Sequence, residues 1–157
     1  MIKTTHDIKG KLTIQKYDSD GVLVDHRTAN NSITIAGRKL VAELFRFNML
    51  GNEEDKINRI TTIHVGGSQA PFQAGHTALQ DTIGQTSIQS VELEPTADDR
   101  IRLRIVGELD TDNSNGELKE AGLFTQDDPP VMYNRVTFDT ITKSAEFKLT
   151  LIWELTF

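Results

Sequence analysis

Chemistry needs reactive side chains at workable spacing, and the histidines are the first candidates in this chain. His6, His26, His64 and His76 share no spacing typical of metal ligands. His64 falls between Ile63 and Val65 in a strand pattern and reads as a surface histidine. In "DTDNSNGE" the residues Asp110, Asp112 and Ser114 have the one-three-five spacing of a calcium loop. The glycine required at the sixth position is Asn115 here, and Gly116 falls one residue late. "YDSDG" reads as a hairpin turn. The carboxylate pairs Glu53-Glu54, Asp98-Asp99 and Asp127-Asp128 read as solvated loops. Gly66-Gly67 reads as a tight turn, and neither a G-x-S-x-G elbow nor a G-x-x-x-x-G-K-[ST] loop occurs. The expectation is a chain that is no enzyme and holds no metal and no cofactor.

One concentrated positive feature remains. In "RIRLRIVGEL" the side chains of Arg100, Arg102 and Arg104 share one face of a strand, and Ile101, Leu103 and Ile105 share the other. Like charges in a row repel unless they are countered. Two readings stand. The arginines pair with carboxylates of a neighbouring strand, such as Glu92 and Glu94, or they meet an acidic patch on a partner.

These residues need a framework, and 157 residues are enough for one ordinary domain with a substantial core. The chain carries a net charge of −6, which weighs against binding nucleic acid through phosphate neutralisation. It contains no cysteine, so disulfide and thiolate chemistry are excluded. Its longest purely apolar run is three residues, far below the roughly 20 of a membrane span. "MIKTTHDIKGKL" lacks the apolar centre of a signal peptide. The expectation is a soluble, mature polypeptide.

Period-two alternation dominates. "GKLTIQKYDSDGVLVDHRT" is a predicted hairpin around Asp18–Gly21. "NNSITIAGRKLVAELFRFNMLG" changes period: Leu40, Val41, Leu44, Phe45 and Asn48 are spaced for a helix, with Ser32 or Thr34 as its cap and Gly51 at its end. "GNEEDKIN" reads as a solvated loop. "INRITTIHVGG", "SIQSVELEP", "RIRLRIVGEL", "KEAGLF" and "VMYNRVTF" read as strands, with one helical turn at 77–83 between the first two. The closing "KSAEFKLTLIWELTF" has the strictest alternation. It places Phe147, Leu149, Leu151, Trp153, Leu155 and Phe157 in one core-facing phase, to which Leu123 and Phe124 are added from "KEAGLF". A chain that ends on such a strand is expected to dock through its N-terminus or its loops. The predicted fold is mainly β, an antiparallel β-sandwich or jelly-roll-like arrangement with one packed α-helix, in a single domain over 1–157.

Six pieces fall in an order that resembles a family of small bacteriophage virion structural proteins, many of them tail or tail-fibre-associated. They are a helix led by Asn31, the strand end Val65-Gly66, Thr77 with Leu79, the E-x-G-L-F run Glu120–Phe124, a strand with Arg135 and Lys143, and the closing W-x-L-x-F run Trp153–Phe157. The resemblance covers about residue 30 to the end, and the hairpin of residues 1–29 departs from it as a docking addition. It implies a particle-building role without catalysis: a tail-fibre, baseplate or adaptor component. Two alternatives are a decoration or cement protein on the head and a carbohydrate-binding module for the host surface. The implied partners are other virion proteins and further copies of the chain. The implied location is the virion, assembled in the host bacterial cytoplasm. Within the E-x-G-L-F run, Gly122 marks a bulge or a close backbone approach, and Glu120 is placed to pair with Arg135.

Overall fold

The computed structural model describes residues 8–50 and 59–157. His6, Gly51, Glu53-Glu54 and the segment "GNEEDKIN" lie outside the described residues, as does the side chain of Asn48. The elements in chain order are β1 (Lys9–Tyr17), β2 (Leu23–Asn30), β3 (Ser32–Ile33), α1 (Ile35–Leu50), β4 (Ile60–Gly66), β5 (Thr82–Pro95), β6 (Ile101–Leu109), β7 (Gly116–Thr125), β8 (Asn134–Lys143) and β9 (Lys148–Thr156). The expected mainly β, antiparallel fold with one helix is what the chain adopts. All strands join one sheet in the order β2-β1-β9-β6-β5-β4-β7-β8-β3. The sheet rolls nearly closed, so its opposite walls face each other across the core as the two layers of a sandwich do.

The hairpin at the start follows from its turn. The Asp18 side chain accepts hydrogen bonds from the amides of Asp20 (2.9 Å) and Val22 (3.0 Å), and Gly21 takes the positive φ that closes the turn. Leu12 and Ile14 of β1 then point inward. They meet Trp153 and Leu151, their register partners on β9. β9 is flanked by β1 on one side and β6 on the other, which is why its alternation is so strict. Leu149, Leu151, Trp153 and Leu155 are all buried.

The same phase fails at both ends of β9. Phe157 was expected in the core, yet it is 53% exposed. It exchanges backbone hydrogen bonds with Ile101 beyond the point where opposite walls supply packing partners. Phe147 is half-buried at the other rim, where the Lys16 ammonium lies 4.1 Å from its ring centroid.

The helix is capped by Thr34. Its hydroxyl oxygen accepts from the Gly37 amide at 2.9 Å and donates to the Met132 carbonyl at 2.8 Å. Gly37 lies against the Tyr133 backbone, where an added Cβ would stand 2.0 Å from the carbonyl oxygen. This close approach drops Leu40 into the core and leaves Val41 partly covered. Leu44 and Phe45 continue the same helical spacing but are exposed.

No helical turn forms at 77–83. That stretch is loop until β5 begins at Thr82, five residues before the predicted strand. The loop is held by side chains from the sheet instead of by its own backbone ladder. β2 and β8, at the two sides of the nearly closed roll, are joined by a side chain. Arg27 donates from Nε to the Asp139 carbonyl (3.2 Å) and from Nη2 to the Thr140 carbonyl (2.9 Å).

Candidate functional site

The E-x-G-L-F run lies on β7 and divides its side chains between two cores. Ala121 and Leu123 face the main core. Phe124 does not join Leu123 there. It points to the opposite face of the sheet and packs with Leu79 and Met132 in a second, smaller cluster under the loop that joins β4 to β5. Alternation on an unbroken strand forces this split. The only irregularity of β7 against β8 falls between Leu118 and Glu120, before the run. Gly122 is a close approach, because a Cβ there would stand 2.5 Å from the Asn134 carbonyl oxygen.

Glu120 shares that outer face and is fully buried. Its Oε2 accepts from Arg135 Nε at 2.7 Å and from the Gln80 amide at 3.1 Å, and its Oε1 accepts from the Asp81 amide at 2.8 Å. Arg135 also donates to the Ala70 carbonyl at 2.7 Å. Both ends of the β4–β5 loop are therefore tied to one buried ion pair. A buried charge of this kind is tolerated only when its remaining hydrogen-bonding capacity is filled. Here it is filled by loop backbone.

His64 belongs to the same place. It is not a surface histidine: only 9% of it is exposed, and its ring stacks on Phe124 with centroids 3.8 Å apart. Burial pushes its pKa below the usual histidine value, so the neutral ring is favoured. The period-two rule placed His64 on the face away from Ile63, but it could not reveal that a loop covers that face.

The turn with calcium-like spacing has a different occupant. Lys143, nearly fully buried, donates from Nζ to the Asn115 side-chain oxygen (2.7 Å) and to the Thr111 carbonyl (3.2 Å). Asp110 faces outward and pairs with Lys148 at 3.2 Å. Desolvation lowers the Lys143 pKa, while Asp110 and Asp112 push it back up. Among the described residues no three His, Asp or Glu side chains are grouped to hold a metal ion.

The arginine strand is β6. Its register sets Arg104 opposite Glu92 and Glu154, and Arg102 opposite Glu94 and Thr156. Arg102 bridges Glu94 (3.4 Å) and Glu154 (3.2 Å). Arg100 pairs within the β5–β6 turn with Asp98 (3.4 Å). Arg104 enters no ion pair among the described residues. Of the two carboxylates named on the neighbouring strand, Glu94 pairs with Arg102, and Glu92 lies opposite Arg104 in register without an ion pair among the described residues.

The opposite, apolar face of this strand trio holds what the sequence did not single out. Row by row, Val91 meets Ile105, Leu93 meets Leu103 and Leu155, and Pro95 meets Ile101 and then Phe157. Toward β5 the rows emerge into solvent, with Val91 57% and Leu93 71% exposed. Among the described residues, the pairing of β4 with β5 ends at Thr62 and Ser87, while β4 also pairs with β7 along its whole length. Apolar alternation alone marks these residues as core. They lie on β5 beyond its last described pairing with β4.

Comparison of the chain with family models, curated proteins and solved structures finds no match. Among the described residues no helix is long and apolar enough to cross a membrane.

Proposed function

We propose that the chain is a non-enzymatic structural component of a bacteriophage particle, tail-associated as a fibre, baseplate or adaptor part, with other virion proteins as its partners. The observation that carries this reading is the uncovered apolar ledge formed by Val91, Leu93, Ile101 and Phe157. A contiguous exposed apolar surface on a folded domain marks a docking face, and a building block of a particle needs one.

A second support comes from the residues that carry the family resemblance. Glu120 and Arg135 spend their polar capacity on each other and on loop backbone. Gly122 permits a backbone contact, and Trp153 fills the core. Those residues hold a framework together and leave no reactive group waiting for a substrate.

The test is quantitative mass spectrometry of purified particles from the source lysate, with the chain measured beside the major capsid protein. The tail reading expects a constant, low copy number per particle. A copy number comparable to the capsid protein would move the assignment to head decoration. Absence from particles would overturn the reading.

A further inference from the structure

We propose that the edge of β5 left unpaired among the described residues pairs with the same edge of a second copy of this chain, antiparallel about a two-fold axis centred on Glu92. This does not depend on the particle reading and holds for the isolated protein.

Backbone groups of successive strand residues point alternately to the two sides. The Thr96 amide donates to the Arg100 carbonyl at 2.9 Å, so Thr96 addresses β6. By alternation Glu94 and Glu92 also address β6, and Val91, Leu93 and Pro95 address the open side. The position of Pro95 agrees with this, because a residue without an amide hydrogen belongs on an unpaired edge. Beyond Ser87 no described strand pairs with that side of β5. An edge of this length with apolar side chains seeks a partner strand.

The partner is fixed by what the edge offers. Antiparallel pairing joins residues that address each other. With the axis at Glu92, Val91 exchanges both backbone hydrogen bonds with Leu93 of the second copy, and Leu93 with Val91 of the second copy. The apolar rows then run on without a break from Ile105 and Leu103 through β5 into the second copy's β5. On the other face the two Glu92 side chains become neighbours. Each lies opposite its own Arg104 in the β5–β6 register, and Arg104 enters no ion pair among the described residues. One strand therefore supplies matched halves of hydrogen bonding and apolar contact, as an isologous interface requires, and Arg104 on each copy must offset the repulsion between the two Glu92 carboxylates.

The register gives a clean test. Glu92 faces its own copy in a non-hydrogen-bonded pair, with Cα atoms about 4.5 Å apart, inside the range a disulfide spans. The native chain has no cysteine to interfere. Under mild oxidation Glu92→Cys is expected to form a covalent dimer, and Glu94→Cys, displaced from the axis, is expected to lag at least tenfold. In sedimentation equilibrium the wild type is expected to approach twice its 17.5 kDa mass as concentration rises. Leu93→Pro removes an amide only on the open side, so it is expected to stay at monomer mass with unchanged circular dichroism. If that variant fails to fold, the cysteine pair still decides. A wild type that remains monomeric at every concentration overturns the proposal. So do equal cross-linking at both cysteines and exchange-protected Val91 and Leu93 amides in a monomer. The last result would mean that the edge is already covered within one copy of the chain.

Discussion

Arg135 Nε stands 2.7 Å from Glu120 Oε2, with both side chains fully buried, and this pair is what fastens the β4–β5 loop to the sheet. Removing one partner of a buried pair leaves the other charge without compensation and costs about 3–5 kcal/mol. We expect Glu120→Ala and Arg135→Ala each to lose stability in that range in urea denaturation. The double variant Glu120→Leu/Arg135→Met should lose less than the sum. Limited proteolysis should cut both single variants first within residues 68–80. Additive losses with an intact loop would show that the pair does not act as a unit.

His64 gives a pH dependence whose sign follows from its burial. Its folded pKa is lowered and its unfolded value is about 6.5. Between the lowered value and about 6.5 the unfolded chain binds a proton that the folded chain does not. Stability from this group is complete above that window, declines as pH falls through it, and levels off below the folded value. Unfolding curves of wild type and His64→Phe between about pH 8 and pH 5 should converge on acidification, because Phe keeps the stack on Phe124 and does not titrate. Parallel curves would show that the ring is protonated equally in both states.

Lys143 occupies its turn as an internal cation. Lys143→Met leaves the Thr111 carbonyl and the Asn115 side chain without their donor, at a cost of about 1–3 kcal/mol. The expected result is a lower melting temperature with hydrogen exchange accelerated at residues 110–116. Wild type should melt at the same temperature with calcium or with a chelator. A calcium-dependent rise would mean that the acidic turn has a metal role which the ammonium only shares.

Trp153 is fully buried, and Trp153→Ala should cost about 3–5 kcal/mol in chemical denaturation. Its indole nitrogen has no hydrogen-bond partner among the described residues, so Trp153→Phe sheds an unpaired donor along with some volume and should cost much less. Thr150→Ala, on the outer phase, should stay within about 0.5 kcal/mol. Deleting Phe157 alone should be mild, whereas deleting 155–157 should be severe because it takes Leu155 as well. Equal effects of the two deletions would place the boundary of the core one row further out.

Arg102 bridges two carboxylates at a partly exposed site, where such pairs contribute about 1 kcal/mol or less. Arg102→Glu should therefore lower the melting temperature slightly and leave the fold intact. If the arginine face also docks a partner, the same variant should drop out of particles while remaining folded. A large loss of stability would show that the face is structural alone.

The strands of the core could be read from the chain because their alternation survives burial on one side only: Leu12 and Ile14, Ile63 and Val65, Leu149 through Leu155. The pairing of Glu120 with Arg135, and of Glu94 with Arg102, could be read from charge. Three things were hidden because they depend on distant parts of the chain. His64 and Phe124 are covered by a loop whose position no local pattern encodes. Val91 and Leu93 follow the core-facing phase yet lie exposed, beyond the last described pairing of β5 with β4. Arg27 occupies the inward phase of β2 opposite Ile14, and only the position of β8 gives that guanidinium its purpose.

That arginine has a mechanical consequence. Every other junction around the roll is a ladder of backbone bonds, which yields only when several break together. Among the described residues, the junction between β2 and β8 is hydrogen-bonded through the short β3 pairing and one guanidinium. The first hairpin is thus a flap, hinged along β9 and fastened by a single clasp. A pull that separates β2 from β8 can swing it open while the remaining strands keep their partners.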